Sequence, residues 1–165
     1  MGFTNKIPTA MNRPETFEHL FIVPAPVSEV AAFHYHHDAF LRLVPPGPRV
    51  RIHLQQPLAN ASIVEFTMWL GPFPIYWKAV HSEIRDTGFV DTQVAGPMKS
   101  WIHRHSFERV SDSETAVVDR IDYEHFPGWR GVRSHCLFAR ASLKTLFMWR
   151  TYATRTGVRM MHQQR

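Results

Sequence analysis

The sequence predicts a single α+β domain in which a curved antiparallel sheet of about seven strands wraps around a long C-terminal helix. From residue 49 to residue 124 the chain divides into short segments of alternating apolar and polar residues, separated by short turns. Consecutive strands with short links favour antiparallel pairing. Residues 132–156 instead carry apolar side chains at helical spacing. A sheet with one apolar face must be covered, and one long helix can cover it.

Length and composition fit one compact domain. The chain has 165 residues, of which 44% are hydrophobic and 13% aromatic, enough for a real core. We predict a tail over 1–15, a domain over 16–157 and a second tail over 158–165. No apolar run reaches the roughly 20 residues that cross a bilayer. The start of the chain lacks the apolar centre of a signal peptide, and Cys136 is a single cysteine, so we expect a cytoplasmic protein without membrane insertion.

Charge gives no sign of a nucleic-acid partner. The net charge is +5, but the basic residues are spread along the chain, and no block of Lys or Arg stands out. A nucleic-acid interface usually concentrates such residues on one face. We therefore predict that no nucleic acid is bound.

Two short helices are predicted after a first strand over 16–23. Pro26 suits the first turn of a helix, where its missing N–H costs nothing, and helical spacing continues over 27–33. The segment HYHHD, 34–38, is interpreted as a solvated turn. Its aspartate would cap a second helix that ends at Leu43, before a run of prolines.

The sheet is predicted to contain strands over 50–54, 62–70 and 75–84, a pair joined at Gly96-Pro97, and a last strand over about 115–124. The facing of the last strand stays open. Either Asp119, Ile121 and Tyr123 point inward, or Val118, Arg120 and Asp122 do. The apolar neighbours of Asp119 favour the first arrangement.

The predicted long helix ends at Gly157. Its apolar stripe includes Cys136, which we interpret as a small buried hydrophobe, and Arg150 lies within the same stripe. The stripe consists of Val132, Cys136, Ala139, Leu143, Leu146 and Phe147. Three aromatic residues lie off the stripe and are candidates for a self-association surface, as in a homodimer, or for the sides of a wide groove contact, namely Phe138, Trp149 and Tyr152.

The stretch FVDTQVAGPMKSWIHRHSF, 89–107, places polar groups on the apolar face of the sheet. Because strand side chains alternate, inward-facing Trp101 carries His103 and His105 inward with it. Such groups must be paired, wetted or bound to something. The predicted ligand-contacting set comprises Phe66, Trp77, His81, Asp91, Gln93, Trp101, His103, His105, Phe107, Tyr123 and Arg150.

Three interpretations of this polar group remain. His103 and His105 with Asp91 form a metal-like facial set, or an acid/base group in which these three residues are the candidate catalytic residues. The third interpretation is an internal hydrogen-bonded network. The sequence offers no further adjacent ligand and no supporting shell, so we predict no metal here. No phosphate loop or zinc-type cysteine spacing is present, and no cofactor is predicted.

The order of elements and several motifs resemble the helix-grip fold of the START-like, or SRPBCC, superfamily, in particular its bacterial ligand-binding members. The resemblance spans about 16–157, and 89–107 carries its most specific motif. The other motifs are FIVPAPVSEVAAFH (21–34), AFLRLVPP (39–46), WKAVHSEI (77–84), TAVVDRIDY (115–123) and LFMWR (146–150). The resemblance implies a cavity for a hydrophobic or amphipathic small molecule and identifies no reaction.

The sequence therefore predicts a protein that binds a hydrophobic small molecule between the sheet and the C-terminal helix, oriented by the inward polar group. One alternative is a cyclase or dehydratase that uses His103 or His105 as general acid/base. A second alternative is an interaction domain whose interior is filled.

Overall fold

A computed structural model describes residues 14–163. Seven strands and four helices follow one another within this range, and no helix there is both long and apolar enough to cross a membrane. The strands are β1 (Glu15–Val23), β2 (Arg49–Gln55), β3 (Ile63–Leu70), β4 (Phe73–Arg85), β5 (Gly88–Ala95), β6 (Ser100–Ser111) and β7 (Glu114–Glu124). The helices are α1 (Val27–Tyr35), α2 (Ala39–Leu43), α3 (Trp129–Leu137) and α4 (Arg140–Gln163).

The seven strands form one antiparallel sheet in the order β1-β7-β6-β5-β4-β3-β2. Every neighbouring pair except β1–β7 is a hairpin, which confirms the sheet predicted from the strand order. Burial alternates along β6, where Trp101, His103, His105 and Phe107 are buried and the residues between them are more exposed. This alternation is the period of a strand with one face on the core.

The last strand resolves the facing that the sequence left open. Asp119, Ile121 and Tyr123 are buried, whereas Arg120 is exposed, as the favoured arrangement predicted. Asp119 lies between the apolar residues Val117 and Ile121 on the same face of β7. Because that face packs on the core, the carboxylate of Asp119 lies in the interior.

The interior contains two apolar clusters. One includes Trp77, Trp101 and Phe147, and the other includes Phe33 and Phe107. Along β6 the buried histidines lie between the two clusters, and along β7 Asp119 does the same. A belt of polar groups therefore crosses the core between two well-packed apolar regions.

The predicted long helix is interrupted. Phe138 leaves the helical conformation, with φ −112° and ψ 25°, and separates α3 from α4. Its ring is buried against Trp77 and Trp101, so it belongs to the core and is not part of a self-association surface. The break changes the phase of the apolar stripe. Val132 and Cys136 are consequently exposed, and the predicted burial of Cys136 is wrong.

The predicted end of the helix at Gly157 is also wrong, because α4 continues to Gln163. Gly157 is buried where α4 crosses α1. A Cβ atom at this position would lie 2.1 Å from Cε2 of Phe33, so glycine allows the two helices to approach. Of the predicted C-terminal tail, 158–163 are thus helical.

The short helices lie close to their predicted positions, with one correction. Asp38 precedes α2, but its side chain makes no capping hydrogen bond and contacts His37 instead, at 2.8 Å between Oδ1 and Nε2. The capping role predicted for Asp38 is therefore wrong. The predicted N-terminal tail falls almost entirely on residues 1–13, which lie outside the described residues.

Candidate functional site

A cavity of about 590 Å³ lies between the concave face of the sheet, α1, α2 and the first half of α4. This volume is in the usual range for small-molecule sites, about 300–1,000 Å³. Eight of the eleven predicted ligand-contacting residues line it, namely Phe66, Trp77, His81, Asp91, Trp101, His103, His105 and Arg150. A cavity of this size argues against an interior filled by side chains.

Aromatic rings form much of the apolar wall. The Trp77 and Trp101 rings meet edge to face at a centroid distance of 5.3 Å, and Phe40 lies 4.5 Å from Phe66. Both arrangements are within the favourable range for aromatic pairs. Phe138 and Phe147 add rings from the helical side. The wall therefore offers burial for an apolar body.

The mouth of the cavity lies where its lining becomes exposed. Gln55, the last residue of β2, and the following Gln56 and Pro57 line the cavity while remaining exposed. The Gln55 amide donates a hydrogen bond to the carbonyl of His37, in the link between α1 and α2. The end of β2 is thus joined to the α1–α2 link across the rim.

The strand register brings the polar groups of the inner wall together. Asp91 pairs with His103 across β5 and β6, and His105 pairs with Asp119 across β6 and β7. Directly opposite residues have neighbouring side chains on the same face. Two histidines from one strand are thus placed between two carboxylates from the flanking strands.

The four side chains form a closed group. Nε2 of His103 lies 3.0 Å from Oδ1 of Asp119, and Nε2 of His105 lies 3.2 Å from Oδ2 of Asp91, both with hydrogen-bond geometry. Nδ1 of His105 lies only 2.8 Å from Oδ1 of Asp119, but outside the angles of a hydrogen bond, and it has no other partner among the described residues. The two imidazole rings are 3.8 Å apart.

Burial and charge act in opposite directions on these groups. Burial lowers the pKa of His105, but its close contacts with the negative charges of Asp119 and Asp91 outweigh this effect, so its pKa is raised. Burial and the neighbouring charge of His105 together lower the pKa of His103. Burial would raise both carboxylate pKa values, but the histidines hold that of Asp91 at about 2 and that of Asp119 well below its ordinary value.

Arg150 lies on the helical side of the cavity. Its guanidinium is 5.1 Å from the centre of the Phe147 ring, and its Nε is buried with no hydrogen-bond partner among residues 14–163. Burial lowers its pKa, while the charges of Asp119 and Asp91 oppose that shift. The charged group thus points into the cavity.

His34 is a cavity residue that the sequence interpretation missed. It was assigned to a solvated turn, but it lies within α1, is buried, and lines the cavity. Its Nδ1 is 2.8 Å from the carbonyl oxygen of Val30, and burial lowers its pKa to about 4. The only sequence signal was its helical spacing from Val27, Val30 and Ala31.

Three predicted residues are not brought to the cavity wall. Gln93 folds over the β5–β6 turn, where its amide bonds the backbone of Met98. Phe107 is buried beneath α1. Tyr123 is buried at the other end of the core, where its hydroxyl donates to Glu15, and burial together with that carboxylate raises its pKa to about 12.

No protein-family model and no curated protein matches the chain. Solved structures do match it. A point mutant of norcoclaurine synthase from Thalictrum flavum, in complex with a transition-state analogue, aligns with a TM-score of 0.68 and 12% identity over 92% of this chain and 98% of its own. The Zhui aromatase/cyclase from Streptomyces sp. R1128 aligns with a TM-score of 0.61 and 16% identity over 88% and 92%. Ara h 8.0201 aligns with a TM-score of 0.65 and 13% identity over 88% and 98%.

The chain has the helix-grip fold. The three structures share it across nearly their whole lengths, as the motifs of the sequence predicted. At this level of identity the likeness establishes architecture and leaves the ligand and any reaction to the residues of the cavity. Another norcoclaurine synthase structure is in complex with dopamine and hydroxybenzaldehyde.

Proposed function

We propose that the protein binds a hydrophobic or amphipathic small molecule in the cavity between the sheet and α4. The observation that carries the proposal is the combination of an aromatic wall with a cluster of polar side chains in the lining of the same cavity. The wall contributes burial, at roughly 25 cal/mol per Å² of apolar surface removed from water. Asp91, His103 and His105 supply donors and acceptors that fix the orientation of the ligand.

The shared fold supports this proposal, because a norcoclaurine synthase structure is in complex with two small aromatic molecules. The cavity of this chain has its own lining, however. Arg150 contributes a charged guanidinium from α4, and His34 contributes an imidazole from α1. These groups favour a ligand with a polar or charged end beside an apolar body.

A titration with the neutral fluorescent probe N-phenyl-1-naphthylamine tests the proposal. We expect saturable binding of one probe per chain, lost in Ala79→Phe, because Ala79 lines the cavity and a phenyl ring there occupies its space. Val94→Phe is the matched control, since Val94 lies on the same sheet but is exposed. Non-saturable binding, or equal binding by both variants, contradicts the proposal. Where probe binding is saturable, mass spectrometry of gently purified protein is the measurement that identifies a resident ligand.

A cyclase or dehydratase activity is the second candidate. It is favoured by the position of His105, whose Nε2 bonds a carboxylate at the cavity wall while its ring stacks on Phe89 at 4.3 Å. An imidazole held in this way can move a proton of a bound substrate. The aromatase/cyclase neighbour has the same fold, which alone does not transfer its activity.

A panel of poly-β-ketone and β-hydroxyketone substrates, followed by absorbance, tests this activity. General acid/base catalysis contributes about 10²- to 10⁴-fold, so His105→Gln or His103→Gln should lower turnover by at least 100-fold. His37→Gln, in an exposed link, is the control. Turnover that survives both changes in the cavity would show that neither histidine acts as acid or base.

A further inference from the structure

The side chains of Asp91, His103 and His105 present three potential metal ligands at one point of the cavity wall. Oδ2 of Asp91 lies 3.2 Å from Nε2 of His105 and 3.6 Å from Nδ1 of His103. All three ligand atoms lie within 4.8 Å of one another. We infer that these residues bind a divalent transition-metal ion of the Zn²⁺ type.

The separations of the three ligand atoms match those expected around a shared ion. Ligand atoms bound at about 2.1 Å with tetrahedral angles lie about 3.4 Å apart. A direct charge-assisted hydrogen bond is shorter, at about 2.7–2.9 Å. Both distances from Asp91 exceed that range and bracket the distance expected across a bound ion.

Asp119 supplies the supporting shell that the sequence did not reveal. Its Oδ1 lies 3.0 Å from Nε2 of His103 and 2.8 Å from Nδ1 of His105, the ring nitrogens opposite those that face Asp91. His103 donates its Nε2–H to Asp119, so its Nδ1 lone pair faces Asp91. The Nε2–H of His105 donates to Asp91, and a bound ion displaces this proton, while Nδ1 on the other side of the ring lies beside Asp119. Histidines that bind a metal commonly donate their other N–H to a carboxylate in this manner.

Once an ion displaces the Nε2 proton of His105, two imidazole lone pairs and an anionic carboxylate face the same point and can hold a cation there. A divalent ion balances the two carboxylates, and the nitrogen-rich set favours Zn²⁺ or Fe²⁺ over Mg²⁺ or Ca²⁺. All three ligands line the cavity, so the remaining coordination positions are open towards it. The inference does not depend on an organic ligand in the cavity.

The ligands lie on strands whose register is fixed, which holds them in place without a metal. Asp91 pairs directly with His103, and Phe89 stacks on the ring of His105. A second set of metal-type side chains, His36, His37 and Asp38, lies in the exposed link after α1. This set has no carboxylate behind it in the contacts described, so it serves as the internal comparison for adventitious binding.

The test begins with protein purified without chelator and analysed for bound elements, and continues with metal-free protein titrated with Zn²⁺ by calorimetry and with Co²⁺ by visible absorption. We expect one ion per chain and a tetrahedral-type Co²⁺ spectrum. Asp91→Asn and His105→Gln should each weaken Zn²⁺ binding at least 100-fold. Asp119→Asn, which changes only the supporting shell, should weaken it about 10- to 100-fold. His37→Ala should leave the affinity and the spectrum unchanged.

Binding that is abolished by His37→Ala and retained by Asp91→Asn and His105→Gln would overturn the inference, because the ion would then lie in the exposed link. Absence of stoichiometric metal together with no Zn²⁺ binding by the metal-free protein would overturn it as well. The near-ultraviolet circular dichroism of each variant is measured alongside, and His103→Gln replaces any variant that fails to fold.

Discussion

Asp119 is the residue on which the polar belt of the core depends, since one of its oxygens faces both histidines. It is almost fully buried, at 4% exposure, between apolar neighbours on β7. A buried carboxylate is stable only when it is paired and hydrogen bonded. The histidines supply that pairing, and they in turn lose it if Asp119 is changed.

We expect Asp119→Asn to lower the free energy of unfolding of the metal-free protein by about 3 kcal/mol at neutral pH, the loss typical of breaking a buried ion pair. Chemical denaturation measures this change. Asp112→Asn is the control, because the pair of Asp112 with Arg109 is exposed and its loss should change stability by less than about 1 kcal/mol. Equal effects of the two changes would contradict the role given to Asp119.

His34 gives the fold a pH dependence of its own. Its folded pKa of about 4 lies below the unfolded value of 6.5, so the unfolded chain takes up a proton first as the pH falls. The groups that face it are His105, Asp119 and Arg150. The raised pKa of His105 and the lowered pKa of Asp119 keep both groups charged through this interval.

The contribution of neutral His34 to the free energy of unfolding is therefore largest above pH 6.5. It decreases as the pH falls from 6.5 to 4, and it does not change further below pH 4. The full loss is about 3 kcal/mol. In metal-free protein, His34→Gln should remove up to this amount from the stability difference between pH 7 and pH 4.5, measured by urea denaturation. His37→Gln, with a largely exposed side chain, should leave the difference intact. An unchanged profile in His34→Gln would refute the prediction.

At the scale of elements, the interrupted C-terminal helix determines what covers the sheet. Phe138 turns into the aromatic wall at the break, and α4 then crosses α1 with Gly157 against Phe33. The contact explains why a glycine within a 24-residue helix does not end it. Tight helix packing here outweighs the low helix propensity of glycine, about 1 kcal/mol relative to alanine.

The sign of the change in the free energy of unfolding caused by Gly157→Ala tests that contact. At an exposed helical position the change would stabilise the protein by up to about 1 kcal/mol. Against the ring of Phe33 we expect a loss of about 1–3 kcal/mol instead. Thermal and urea denaturation measure the change, with Arg159→Ala on the exposed face as the control. A more stable Gly157→Ala protein would show that the two helices are not in close contact.

At the scale of the whole molecule, the sheet and α4 enclose more space than their side chains fill. A filled core resists added volume, whereas a cavity accepts it. Ala79 is 1% exposed and still lines the cavity, so a larger side chain there can extend into open space. Ala31 is buried to a similar degree, but within the apolar cluster around Phe33.

We therefore expect Ala79→Phe to change the free energy of unfolding by less than about 1 kcal/mol, and Ala31→Phe to lower it by about 2 kcal/mol or more. Denaturant titrations of the two variants side by side make the comparison. A similarly large decrease in the free energy of unfolding in both variants would indicate that the space beside Ala79 is filled in solution. That result would contradict the binding proposal.

The sequence by itself determined the strands and the two short helices of this protein, and most of the side chains on the inner face of its sheet. Alternation along single strands is a local signal, and it was sufficient to turn Trp101, His103 and His105 inward and to predict the aromatic wall. The helix-grip fold followed from the order of these elements. Alternation also predicted that Gln93 contacts the ligand. Its side-chain amide instead donates a hydrogen bond to the backbone carbonyl of Met98 in the β5–β6 turn.

Only the tertiary structure decided which inward groups meet. Asp119 reaches both histidines through the register of β6 and β7, and His34 reaches the cavity through the packing of α1. The break at Phe138 likewise depends on rings contributed by distant strands. These contacts join residues far apart in the chain, and a periodicity confined to one segment carries no information about them.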